Sequence, residues 1–266
     1  MSRAAGKEEF VTSLARGLEV ILAFDGGHPE MTLSEVAAET GLSPAVTRRF
    51  LHTLVQLGYA AQIGRRFILR PRILELGAGY FRSMNLAEVA QPHLQHLRDE
   101  TSDTASLTTL DGNDILHVCH APTERFVTFA ITPGSRVPAY VSATGRAMLA
   151  YLDEPHLDER LATMELPPRT ARTVTSRGQL RAVLTAVRQH GYALVVDELD
   201  YGLTALGVPV LINGRALAGV SCVTPTGAVE ETEYVQSRLP ALNTTAQQIA
   251  AELKRFPALL HSLSGG

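Results

Sequence analysis

The stretch "GLSPAVTRRFLHTLVQLGY", residues 41–59, decides how the first part of this chain is read. Ser43 stands at an N-cap position and Pro44 at the first helical position, where a missing N–H leaves nothing unsatisfied. Val46, Phe50, Leu54 and Leu57 recur at helical spacing and form one apolar stripe, with Leu51 and Val55 beside it. Ala45, Thr47, Arg48, Arg49 and His52 are thereby left to face away from the core. Gly41 makes a tight turn before this helix and Gly58 ends it.

Working outward, "TSLARGLEVILAFDGGHP" upstream predicts an amphipathic helix on Leu14, Leu18, Ile21 and Leu22, stopped at Gly26-Gly27. "TLSEVAAETG" predicts a second helix, capped by Thr32 or Ser34, with Leu33, Val36 and Ala37 inward and Gly41 closing it. Downstream, "YAAQIGRRFILR" predicts two short strands, Tyr59 to Ile63 and Phe67 to Arg70, around a Gly64-Arg65-Arg66 turn. Three helices followed by a basic hairpin make the winged helix-turn-helix plan, whose third helix lies in the major groove of DNA. The expected partner is double-stranded operator DNA. Ser43, Pro44, Ala45, Thr47, Arg48, Arg49 and His52 would face phosphates and base edges, and Arg65 and Arg66 would reach from the wing.

The charge distribution agrees. The 266 residues carry a formal net charge of −3, but residues 1–83 hold ten Lys/Arg against eight Asp/Glu, and residues 84–266 fourteen against nineteen. Residues 41–72 contain six arginines and no acid, a single-sign cluster suited to a polyanion. No run of 18 apolar residues is present, which argues against a membrane span, and "MSRAAGKEEF" lacks the apolar core of a signal peptide. The two cysteines, Cys119 and Cys222, are too few for a disulfide framework or a zinc site by themselves and fit reduced thiols in a cytoplasmic protein.

"RPRILELGAGYFRSMNLAEVAQPHLQHLRDET" reads as a linker helix, a break near Ser83 to Asn85, and a second helix kinked or restarted at Pro92. Beyond Ser102, hairpins and strands alternate with helices: "ASLTTLDGNDILHVCHAP", "RFVTFAITPGSRVPAY", "SATGRAMLAYL", "SRGQLRAVLTAVRQHGY", "ALVVDEL", "TALGVPVLI" and "ALAGVSCVTP", then a long terminal helix from "EETEYV". That pattern predicts an α/β domain around an antiparallel sheet.

"SLARGLEVILAFDGGHPEMTLSEVAAETGLSPAVTRRFLHTLVQLGY" resembles the N-terminal domain of IclR-type bacterial transcription regulators. "GRRFILRPRILELG", "PGSRVPAYVSATGRAMLAYL", "GYALVVDELDYGLTALGVPV" and "GVSCVTPTG" continue the likeness to about Phe256. Within the family, "RRFLHTLVQLGY", "GRRFILRPRILELG" and "VAQPHLQHL" look most like regulators of aromatic-acid catabolism, those answering to protocatechuate, p-hydroxybenzoate or β-ketoadipate. The resemblance implies an α+β protein: a winged helix-turn-helix over residues 1–72, a linker helix over 73–90, and a GAF-like α/β effector-binding domain over 91–266. It also implies a homodimer or dimer of dimers, controlled by a small organic acid.

The segment Gly134 to Ala150 is where such a ligand is expected. Ser142 can cap a helix whose first amides belong to Ala143, Thr144 and Gly145, and free amides at a helix start receive carboxylates. The family places its effector against this same helix start and completes the pocket with two later strands, at positions matching Val195, Ala205, Ser221 and Val223, with Thr224 adjacent. Keto-acid-binding members have an aspartate near Val195 and a serine at Val223. The pocket here is therefore expected to be more apolar and to suit an aromatic ring. Arg136 is the expected bidentate partner of the carboxylate, with Arg125 as runner-up.

Other chemistry is weaker. "HVCH" suggests a metal, but strand alternation puts His117 and Cys119 on one face and His120 on the other. Asp197, Glu198 and Asp200 scatter over both faces of a strand. No P-loop, nucleotide fingerprint or nucleophile elbow occurs. No catalytic residue, metal site or cofactor is expected. A small-molecule hydrolase and a protein-interaction adaptor on the same scaffold remain the alternatives.

Overall fold

The computed structural model describes residues 10–84, 86–123 and 131–263. The chain divides into two compact units, Met1–Arg82 and Ser83–Gly266.

In the first unit, helices α1 (Thr12–Leu22), α2 (Leu33–Thr40) and α3 (Pro44–Gln56) surround a core of Val20, Met31, Val36, Leu51, Leu54, Ala60 and Phe67. Thr32 caps α2 through a full capping box: its hydroxyl accepts the Glu35 amide while the Glu35 carboxylate accepts the Thr32 amide at 2.7 Å. Gly41 ends α2 with φ +65°, a left-handed conformation that side-chain-bearing residues rarely adopt. Ser43 then caps α3, accepting the Val46 amide, with Pro44 in the first turn. The expected turn and helix starts are therefore present.

Two features differ from the sequence reading. The buried stripe of α3 runs through Thr47, Leu51 and Leu54, while Leu57 is exposed and Val46 and Phe50 are half-buried. The buried positions lie about one residue away from the stripe expected, and Phe50 packs at the edge of this core, facing Gly17 of α1. The wing also has a third strand: β1 (Glu30–Thr32) joins β2 (Ala60–Ile63) and β3 (Arg66–Leu69) in the order β1-β3-β2. Three residues are too few to display a strand period.

A short 3₁₀ turn at Pro71–Leu74 leads into α4 (Glu75–Met84), and α5 (Leu86–Thr101) follows. Asn85, between them, lies outside the described residues. α5 continues through Pro92 without restarting.

The second unit is built on a six-stranded antiparallel sheet in the order β6-β5-β4-β9-β8-β7. Its strands are β4 (Thr104–Asp111), β5 (Asp114–Ala121), β6 (Arg136–Pro138), β7 (Ala193–Val196), β8 (Leu203–Ile212) and β9 (Arg215–Pro225). Between β6 and β7 come α6 (Ala143–Leu149), α7 (Glu154–Thr163) and α8 (Arg177–His190); α9 (Glu231–Leu253) and α10 (Pro257–Leu263) close the described chain. The sequence reading passed over α7, whose cap is Asp153 rather than a serine or threonine.

α5 and α9 pack together against one face of the sheet, where Cys222 of β9 meets Thr101 of α5. α6 covers the other face. A Cβ at Gly207 or Gly219 would stand 2.7 Å from atoms of Ala143 and Thr144, so these two glycines let the start of α6 lie directly on β8 and β9. α7 and α8 pack outside α6 through Leu157, Leu161, Leu180, Leu184 and Val187. The architecture is α+β, as expected.

Candidate functional site

On the first unit, the start of α3 is open. Ser43, Pro44, Ala45, Arg48, Arg49 and His52 are all exposed, and among the described residues neither Arg48 nor Arg49 has a salt-bridge partner. Thr47 is the correction. It is fully buried, and its hydroxyl donates to the Ser43 carbonyl at 3.1 Å, so it shapes the first turn instead of facing outward. His52 sets its ring edge against Phe67 of the wing, 6.3 Å between centroids, which ties α3 to the hairpin. Arg65 is exposed at the hairpin tip. Arg66 is already held: it donates to the Glu30 carbonyl at 3.2 Å and lies 3.7 Å from both the Glu30 and Glu35 carboxylates. Arg72, not singled out before, lies over the Tyr59 ring and donates to the Leu57 carbonyl, joining the end of α3 to the strand that follows.

On the second unit, a cavity of about 350 Å³ opens between the sheet and the start of α6. Ser142, Ala143, Thr144, Val195, Ala205, Ser221 and Val223 all line it, so seven of the expected positions converge on one space. Its walls are mostly apolar, from Ile115, Val137, Val141, Leu199 and Leu203 as well. Among the described lining residues there is no Lys, Arg, Asp or Glu. Ser142 caps α6, its hydroxyl accepting the Gly145 amide at 3.3 Å and lying 3.1 Å from the Thr144 hydroxyl.

Two expectations fail here. Gly145 does not line the cavity; a Cβ there would stand 2.3 Å from the Ala139 carbonyl oxygen, so its smallness serves the turn before α6. Arg136 is committed elsewhere, to the carboxylates of Asp111 and Asp114 at the β4–β5 turn, and is partly exposed. It closes that hairpin and is not a carboxylate receptor. Arg125, the runner-up, lies outside the described residues.

His117 and His120 are the residues that sequence reasoning misplaced. β4 pairs Thr108 with His117 but Ser106 with His120, three residues opposite four, because β5 bulges at Val118. The bulge turns both imidazoles to the α6 side, and both line the cavity. His120 Nδ1 lies 2.9 Å from the Ser106 hydroxyl. His117 is 6% exposed, and its Nδ1 is buried with no hydrogen-bond partner among the described residues. Burial, with the neighbouring His120 adding to it, holds His117 down to about 4; burial lowers His120 as well. Both rings therefore sit neutral near pH 7. Cys119 points to the opposite face, and burial pushes its thiol up to about 11. No cluster of metal-ligating side chains occurs among the described residues.

Below the cavity, Arg146 of α6 and Glu198 after β7 form a buried two-pronged ion pair at 2.6 and 2.5 Å. Arg146 also donates to the Tyr140 carbonyl and Glu198 accepts the Val174 amide, so the pair fixes α6 against the segment that carries Leu199 into the cavity wall.

Residues 13–64 match the IclR helix-turn-helix domain and residues 78–251 the C-terminal domain of the bacterial transcriptional regulator IclR. The Pca regulon regulatory protein of Pseudomonas putida is 38% identical over 250 residues, 93% of this chain and 86% of that protein. The p-hydroxybenzoate hydroxylase transcriptional activator of Acinetobacter baylyi is 32% identical over 248 residues, 91% of this chain and 92% of that one. Among solved structures, a protein of Rhodococcus sp. RHA1 described as a transcriptional regulator superposes with a TM-score of 0.80 at 41% identity, covering 92% of this chain and 99% of the other.

Proposed function

We propose that this chain, which belongs to the IclR family of bacterial transcription regulators, binds a small carboxylic acid in the cavity beside α6 and that occupancy sets its hold on operator DNA. The observation that carries this reading is the cavity itself: about 350 Å³, apolar on most sides, with serine and threonine hydroxyls and the start of α6 at one end. A volume of that order holds a single-ring compound. The hydroxyls of Ser142 and Thr144 and the first amides of α6 suit a carboxylate, while Val195, Ala205 and Val223 suit a ring. The relative named as the p-hydroxybenzoate hydroxylase transcriptional activator supports the same class.

In this reading residues 1–72 form the DNA-binding domain, 73–90 a linker helix and 91–266 the effector domain. The working species is a homodimer or dimer of dimers in the cytoplasm, without a cofactor or a catalytic role. No described helix is long and apolar enough to cross a membrane. The hydrolase and adaptor readings are not favoured: the relatives are transcription regulators, and two neutral histidines bonded to no acid lack the base-and-orienter pairing that nucleophilic catalysis needs. An effector changes DNA affinity only if it binds the two conformations unequally. Calorimetry with p-hydroxybenzoate, protocatechuate and β-ketoadipate, on wild type and on Ala205→Phe, tests the site. Ala205 lines the cavity and is half-buried, so a ring placed there should fill the space and block the ligand. Equal binding to both proteins would place the effector elsewhere.

A further inference from the structure

The effector reading leaves one group without a task. His117 is buried, its backbone is satisfied by the Ser135 carbonyl and the Gly134 amide at 2.9 and 2.8 Å, yet its ring Nδ1 has no partner among the described residues. A buried polar atom left in this state is costly unless something completes it. The imidazole faces the cavity because of the bulge at Val118, an irregularity that does nothing for the β4–β5 pairing itself.

We propose that His117, with His120 beside it on the same face of the sheet, reads a hydroxyl group on the effector's ring and so selects hydroxylated aromatic acids over unsubstituted ones. The inference rests on the effector reading above and adds the chemistry of the ligand's second polar group. The two ends of the pocket differ in kind. The α6 end offers hydroxyls and amides, which suit an acceptor-only carboxylate. The β5 end offers neutral imidazoles, each with one N–H and one bare nitrogen. A hydroxyl can donate to a bare nitrogen or accept from an N–H, so it can pair with an imidazole at the cavity wall whichever tautomer the ring adopts. A carboxylate or a keto oxygen can pair there only as an acceptor. Ser106 holds His120 in place at 2.9 Å, and on the row opposite it Ser221 keeps the floor of the pocket polar between the two histidines and the apolar wall.

The test is calorimetry on the full chain with benzoate, 3-hydroxybenzoate and 4-hydroxybenzoate, for wild type, His117→Phe and His117→Gln. Wild type should bind at least one hydroxylated acid about tenfold or more tighter than benzoate, the scale of one well-placed hydrogen bond in a site built to receive it. In His117→Phe that preference should fall to within about twofold. His117→Gln, which keeps a donor and an acceptor, should retain an intermediate preference and carries the test if phenylalanine is not tolerated. A wild type blind to the hydroxyl overturns the proposal. So does a His117→Phe protein that loses benzoate as much as the hydroxylated acids, since the imidazole would then hold the shared carboxylate. If none of the three binds wild type, the effector reading falls and this inference with it. If all bind, Ala205→Phe blocks them and the preference survives in His117→Phe, this inference alone falls.

Discussion

Arg146 and Glu198, 52 positions apart in the chain, form a two-pronged ion pair in which the arginine side chain is 2% exposed and the glutamate 11%. Two charges at that depth are expensive to desolvate, and the cost is recovered because every prong is used: Arg146 also reaches the Tyr140 carbonyl, and Glu198 the Val174 amide. The pair sets where the start of α6 stands relative to the strand end that carries Val195 and Leu199. It is thus a positioning device for the cavity.

Removing one partner should therefore be far worse than removing both. Arg146→Met leaves a buried carboxylate unpaired and should lower unfolding free energy by about 3–5 kcal/mol. Adding Glu198→Leu should restore much of that loss. Urea unfolding of the two single variants and the double variant checks it; a double variant no better than the singles would show that the pair is not where the energy lies.

On the DNA side, Arg48→Ala and Arg49→Ala should weaken operator binding by roughly 1–3 kcal/mol for whichever residue reads a base. Arg65→Ala should weaken all sequences evenly and reduce the salt slope by about one. Arg66→Ala should show a smaller salt-slope change, because its guanidinium is already shared with Glu30 and Glu35. Gel shifts over a salt series separate these. An Arg48/Arg49 double variant with wild-type affinity would remove α3 from the groove.

α1 presents an apolar face to solvent within its own unit: Leu14 is 64% exposed, Leu18 48% and Leu22 77%, with Phe10 and Val11 just ahead of it. A face of this kind is expected to pack on a second copy and to bring two reading heads onto a roughly palindromic site. Leu18→Glu should give monomers by analytical ultracentrifugation and weaken binding to a two-half-site operator much more than to one half-site. A wild-type monomer at micromolar concentration would refute this.

The buried His117 gives a pH signature. Its folded value, about 4, is below the ordinary 6.5, so the unfolded chain takes up a proton first as pH falls. The stability it contributes is present above about pH 6.5 and is lost progressively down to about 4, on the order of 3 kcal/mol in all. The slope of unfolding free energy against pH in that window should be smaller in His117→Phe than in wild type. Parallel profiles would mean that the ring is solvated after all.

The parts that were legible are the ones governed by near neighbours. Ser43-Pro44 starts α3, Thr32 and Glu35 cap α2, Gly41 turns between them and Ser142 caps α6, because capping acts across three or four residues and is written into adjacent letters. The likeness to a known family brought Val195, Ala205, Ser221 and Val223 to the cavity, which no local pattern could have joined to Ser142. The period of α3 was read one position off, since Thr47 looks polar in sequence yet its hydroxyl is spent on the Ser43 carbonyl.

Helix starts, turns and the basic face are encoded locally, since each depends on groups a few residues apart whose geometry the backbone already constrains. Which side chains share the cavity depends instead on strand pairing between distant segments. One extra residue at Val118 reverses the facing of everything after it, so strict alternation separated His117 from His120 when the paired strands bring them together. Arg136 went to Asp111 and Asp114, and Arg146 to Glu198, because a charge seeks the opposite charge that the sheet sets beside it, however distant in sequence.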